Sequence, residues 1–143
     1  MSVTQAEKGR LQKNLARYVW KVRDEMWLTR WAINILITEY PGQNENTLAT
    51  MSPTNAQYRA ELEVATRAAE TGGEDLRHTI VHELLHLWHR DSSDVFRLAL
   101  PKELSNSAFV LLWEAYRQTD ELMVDQMAYA WAEHLSLPDW ETL

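Results

Sequence analysis

The 143-residue chain is predicted to be an α+β domain. Three observations predict it. Apolar residues recur at three and four positions near the start. Three short segments in the middle alternate apolar and polar residues between turn-forming residues. Two further helix-type stretches follow a Gly-Gly break at Gly72-Gly73. No repeat, linker or low-complexity segment divides the chain, so residues 1–143 are read as one domain, long enough to bury a core.

The first helix is expected from about Thr4 to Thr29. Leu11, Leu15, Tyr18, Val19, Val22 and Met26 form one stripe, and Thr4 with Glu7 spells a capping box. Trp20 and Trp27 lie on its flank and are expected to widen the buried face. A strand follows at 31–38, where Trp31, Ile33, Ile35 and Ile37 share a side. After the turn at Pro41-Gly42-Gln43-Asn44, a second strand is read at Thr47–Met51. A further turn at Ser52-Pro53-Thr54-Asn55 leads to a third strand, with Tyr58, Ala60, Leu62 and Val64 alternating with charged residues. Asp75 is the expected N-cap of the next helix. A less regular connection past Arg90 carries a short helix around Val95 to Leu100. A last long helix begins near Ser105 or Ser107 and runs to about Leu135, with Pro138 ending it. Its expected apolar positions are Leu111, Leu112, Ala115, Leu122, Met123, Met127, Ala130 and Trp131.

Composition narrows the function. The net charge of −7 argues against general nucleic-acid binding. The charge is uneven: residues 1–30 carry net +4, leaving −11 on the rest. A basic first helix of this kind either packs beside the acidic body or meets an acidic partner. There is no apolar run of membrane-spanning length. The polar start is not a signal peptide, and the chain has no cysteine. A cytoplasmic setting is expected, as a monomer or a dimer. Any metal must be held by histidine and carboxylate.

The chemistry centres on Thr79-Ile80-Val81-His82-Glu83-Leu84-Leu85-His86-Leu87-Trp88. Residues four apart sit one above the other on a helix, so His82 and His86 can point two imidazoles at one ion. Glu83, one step round, can hold and deprotonate a water at that ion. Catalytic zinc takes three protein ligands. The candidates for the third are His78, His89, Asp91, Glu103, Glu114, Glu121, Asp125 and His134. His78 and His89 share the motif helix with His82 and His86, and one straight helix rarely supplies three ligands. Glu121 and Asp125 lie four apart on one face of the last helix. The first can complete the site, and the second can accept the free ring N–H of a ligand histidine. Glu114, seven residues before Glu121 on the same face, is the runner-up.

His-Glu-x-x-His followed by Glu-x-x-x-Asp on a second helix resembles the gluzincins, the thermolysin-type zinc metallopeptidases. The order of a long N-terminal helix, a small three-stranded sheet, a motif helix and a glutamate helix is similar to a minimal zincin fold. The resemblance implies a zinc metalloendopeptidase that hydrolyses peptide or protein substrates. It makes His82, His86 and Glu121 the metal ligands, Glu83 the general base and Asp125 the partner of a ligand histidine. The 35 positions between His86 and Glu121 exceed the spacing in thermolysin. No family histidine for polarising the substrate carbonyl is recognisable, and Tyr116, Tyr129 and His89 stand as alternatives. A strand beside the cleft, either Thr47–Met51 or the segment Asn55-Ala56-Gln57, is expected to hold an extended substrate.

Two other functions are weighed. One is a non-catalytic zincin-like module that binds a protein and uses the metal as a staple. The other is a regulator-cleaving or DNA-associated protease. The stretch from Glu121 to Pro138 is similar to phage- and regulator-associated peptidases. The Spartan-type DNA-dependent proteases carry a third histidine where this chain offers Glu121.

Overall fold

The computed structural model describes residues 4–54 and 57–140. The architecture is α+β, with five α-helices and one small mixed sheet among the described residues. Helix α1 spans Gln5–Glu25, and the expected capping box closes its start. The Glu7 carboxylate accepts from the Thr4 backbone N–H at 2.8 Å, and Thr4 Oγ1 accepts from the Glu7 N–H at 3.3 Å. The helix stops four residues before the expected Thr29. Trp27 takes φ 62°, and the N–H groups of Trp27 and Leu28 fold back onto the carbonyls of Asp24 and Arg23. That is a Schellman ending, in the left-handed conformation glycine usually supplies.

The two tryptophans do not widen the buried face of α1. Trp27 is 87 % exposed. Trp20 is half-exposed, and its indole N–H donates to the Ile33 carbonyl at 3.0 Å. The buried stripe is carried instead by Leu15, Tyr18, Val19, Val22 and Met26.

Strands β1 (Ala32–Thr38), β2 (Ala49–Pro53) and β3 (Arg59–Ala65) form a sheet in the order β1-β3-β2. β1 runs parallel to β3 with Ile35 opposite Leu62, and β2 runs antiparallel to β3 with Met51 opposite Leu62. Trp31, Ile33, Ile35 and Ile37 are buried on one face as the alternation requires. Ala60, Leu62 and Val64 join them, but Tyr58 does not. It sits before the strand, half-exposed, with the Arg30 guanidinium 4.1 Å above its ring. β2 begins two residues later than expected and ends on Pro53. A proline is tolerated there because β2 is an edge strand with one side free of ladder bonds. Of the segment Asn55-Ala56-Gln57, the first two residues lie outside the described residues.

Helix α2 (Thr66–Thr71) leads to α3 (Gly73–Trp88), the motif helix. Asp75 is not its N-cap. Gly72, at φ 61°, turns the chain into the helix, and Asp75 lies within the first turn beside Glu74. Both carboxylates there face the positive end of the helix dipole. Leu76, Ile80, Val81, Leu84 and Leu85 bury one side of α3 in the core.

Helix α4 (Arg90–Asp94), a π turn at Val95–Ala99 and a 3-10 turn at Leu100–Lys102 form the connection expected to be irregular. Helix α5 spans Asn106–Ala132, and Ser105 Oγ caps its start by accepting from the Ala108 N–H. It ends six residues before Pro138 because the tail turns back over the core. Tyr18 Oη donates to the Ser136 carbonyl at 2.9 Å, Arg77 donates to the Leu135 carbonyl, and Ser136 bonds the Glu25 carboxylate. The expected apolar face of α5 is also displaced. Val124, Ala128 and Ala132 are buried, while Leu111, Leu112, Leu122 and Met123 are exposed. The described helices include none long and apolar enough to cross a membrane.

Candidate metal centre

α3 and α5 pack against each other, and the facing side chains carry the chemistry. The apolar side of α3 lies in the core, so His82 and His86, one turn apart, are turned partly outward towards α5. Their rings meet edge to face, with centroids 5.1 Å apart. The C-terminal end of α3 is anchored by Trp88, whose indole N–H donates to the Met26 carbonyl at 2.9 Å and whose ring edge meets Trp131.

Glu121 stands between the two imidazoles. Its Oε1 lies 2.7 Å from His82 Nε2, and its Oε2 lies 3.3 Å from His86 Nε2. Among the described residues, His82, His86 and Glu121 are the one group of three or more whose ligand atoms all fall within 4.8 Å of one another. The sequence-predicted triad is therefore brought together from helices 35 residues apart. Glu114 is not with it. Its carboxylate accepts from Gln118 one turn along the same helix. Asp125 Oδ1 lies 3.5 Å from His82 Nδ1, on the side of the ring away from Glu121.

Glu83 is buried, and it is the buried charged side chain of this core among the described residues. Burial, and then the negative charge of Glu121, push its carboxyl up to about 8, while a hydrogen bond from the Met51 backbone pulls the other way. Burial holds His86 below the ordinary imidazole value, against the nearby carboxylates of Glu121 and Asp120. A lowered value keeps the ring neutral, which is the form that binds a metal.

A cleft of about 860 Å³ opens on this site. Ala49, Met51 and Pro53 of β2 line one wall, and Trp113, Tyr116 and Leu122 of α5 line the other, with Glu83, His86 and Glu121 at the base. The Leu48 carbonyl accepts from the Ala65 N–H, and the Thr54 N–H donates to the Arg59 carbonyl. By alternation, the main-chain groups of Ala49 and Met51 face the free edge of β2. This is the edge strand expected beside the site.

Compared with protein-family models, with curated proteins and with solved structures, the chain matches none. The site is therefore read from its own geometry.

The three alternatives for polarising a carbonyl are separated by position. Tyr116 lines the cleft, stacked on Phe96 with ring centroids 4.5 Å apart. Tyr129 lies in a second cavity, against His78. His89 is bound to Asp120, with Nδ1 and Oδ1 2.9 Å apart. Asp120 itself was missed by sequence reasoning. It adjoins Glu121, and its signal was the His89 that follows His86 by three residues, but pairing the two required knowing which face of α5 meets α3.

The donor set suits zinc. Two imidazole nitrogens and one carboxylate oxygen are the ligand types of a catalytic zinc site with one position left for water. A hard cation such as calcium would call for six or more oxygens, and these three residues do not supply them.

Proposed function

We propose that the chain is a zinc-dependent metallopeptidase of the gluzincin type, built on a minimal zincin-like fold. The observation that carries this reading is the convergence of His82, His86 and Glu121 from two helices, with His86 and Glu121 lining a cleft that β2 walls as an edge strand. When bound there, zinc lowers the pKa of water towards neutrality and polarises a carbonyl.

The chain's own residues supply the rest. His82 and His86 would hold the ion through Nε2, the nitrogens that face Glu121. An extended peptide lies along β2, where the main chain of Ala49 offers hydrogen bonds in the manner of an added strand. Glu83, beside Met51, takes the proton of the attacking water and passes it to the leaving amine. Tyr116, which lines the cleft, is the hydroxyl we assign to donate to the carbonyl oxygen as charge develops on it. Trp113, Tyr116 and Leu122 add apolar surface to a wall that also carries Glu114, Arg117 and Gln118.

A second reading is favoured by one observation, the large apolar side chains left exposed on α5. Under it the fold binds a protein and the metal is a staple. The open cleft and a donor set of three favour the enzyme.

The test begins with metal content by mass spectrometry. Stoichiometric zinc in the wild type, lost in His86→Ala and in Glu121→Ala, is the expected result. If Glu114→Ala strips the metal instead, the third ligand is wrong. Glu83→Gln is expected to keep zinc and to lose hydrolysis of a peptide library by at least about 100-fold. Full turnover in that variant would remove Glu83 from the mechanism.

A further inference from the structure

Asp120 has no role in the site as drawn so far, yet it is more enclosed than the two neighbouring carboxylates of α5. Its side chain is 13 % exposed, against 59 % for Glu121 and 49 % for Asp125. A carboxylate this enclosed is costly unless its oxygens are paired. Asp120 divides them. Oδ1 is 2.9 Å from His89 Nδ1, and Oδ2 faces His86 Nδ1 at 3.8 Å. A carboxylate only accepts, so His89 Nδ1 carries the proton in that bond.

We infer that Asp120 is a positioning residue for the metal ligand His86, and that His89 holds Asp120 in place. The inference rests on the metal reading above. His86 directs Nε2 towards Glu121, and a nitrogen that binds a cation carries no proton. The proton of the neutral ring is then on Nδ1, the nitrogen that faces Asp120. His82 repeats the arrangement with a different partner, since its Nε2 meets Glu121 and its Nδ1 meets Asp125. Each ligand histidine thus has its own carboxylate behind it, and the two carboxylates flank Glu121 on α5. Asp120 serves the end of α3 near residue 86, and Asp125 serves the end near residue 82.

His89 completes the set. It sits at the C-terminal cap of α3, is mostly buried, and spends Nδ1 on Asp120 rather than on the cleft. The spacing His86-x-x-His89 therefore encodes a ligand and a brace, where a reading by spacing alone would offer another ligand.

The experiment uses the full zinc-loaded chain, with zinc affinity measured by chelator competition and the ring N–H protons of His82 and His86 observed by NMR. Asp120→Asn is expected to weaken zinc by about 10- to 100-fold, and to shift the His86 Nδ1–H signal while leaving that of His82 in place. Asp125→Asn is expected to do the reverse. His89→Gln, whose amide can still donate to Asp120, is expected to fall between wild type and Asp120→Asn. A merely structural tie between α3 and α5 would move both histidine signals together in Asp120→Asn, and that result would overturn the inference. So would zinc affinity in Asp120→Asn within about threefold of the wild type. A wild type that takes no zinc overturns the metal reading itself, and this inference with it.

Discussion

Glu83 and Tyr18 are both polar groups carried into the interior, and their surroundings explain the difference between them. Glu83 sits at the base of a cleft, with one backbone hydrogen bond and a second carboxylate near it. Tyr18 is fully buried, its hydroxyl donates to the Ser136 carbonyl, and Trp140 meets its ring edge on at 6.2 Å. Burial is the main cause that raises its pKa far above the ordinary tyrosine value. The folded chain therefore keeps a proton that the unfolded chain gives up above about pH 10. Because the native state then binds more protons, stability falls as pH rises beyond that point. Tyr18→Phe is expected to cost about 1 kcal/mol at pH 7 through the lost hydrogen bond, and to flatten the decline above pH 10. Urea unfolding from pH 7 to 11 measures both. An unchanged alkaline slope in the variant would show that other groups set it.

At the level of elements, α5 is where pattern and packing part. Its large apolar residues suggested the buried face, yet small side chains occupy it. Val124, Ala128 and Ala132 let the helix lie close enough to α3 for Glu121 to reach both histidines. A bulkier seam would hold the helices apart and empty the site. Ala128→Leu is accordingly expected to cost about 1 to 3 kcal/mol by overpacking, and to weaken zinc as well. Leu111→Gln, on the exposed side, is expected to stay within about 0.5 kcal/mol of the wild type. Thermal unfolding of the two variants compares them directly. If Leu111→Gln proves the more damaging, the seam has been misplaced.

On the scale of the whole molecule, the proposed metal centre joins helices that the chain separates by 35 residues. An ion that binds only the folded arrangement stabilises it by about 2.7 kcal/mol when its free concentration is a hundred times Kd. For a chain of this size that corresponds to roughly 5 to 10 °C in Tm. Zinc is expected to raise the Tm of the wild type by that order, and to leave Glu121→Ala where it was. An equal rise in both would place the binding elsewhere. The basic first helix is accounted for at this scale too. Its apolar stripe lies in the core while its N-terminal turns stay exposed, so the positive charge of residues 1–30 is on the surface.

The local features were legible because each is a property of neighbouring residues. The capping box at Thr4 and Glu7, the alternation from Trp31 to Ile37 and the spacing of His82 and His86 are all set by helix and strand periodicity. Periodicity needs no partner. Glu121 and Asp125 were readable as a pair for the same reason. What the sequence did not determine was anything that depends on which surface meets which. The parallel pairing of β1 with β3, with β2 turned back as the free edge, arises from long-range packing. So does the early end of α5, where the tail docks on Tyr18 and Arg77. The roles of Asp120 and His89 belong to the same class. Both are ordinary polar residues until α5 is laid against α3, and only that contact sets one carboxylate between two histidines.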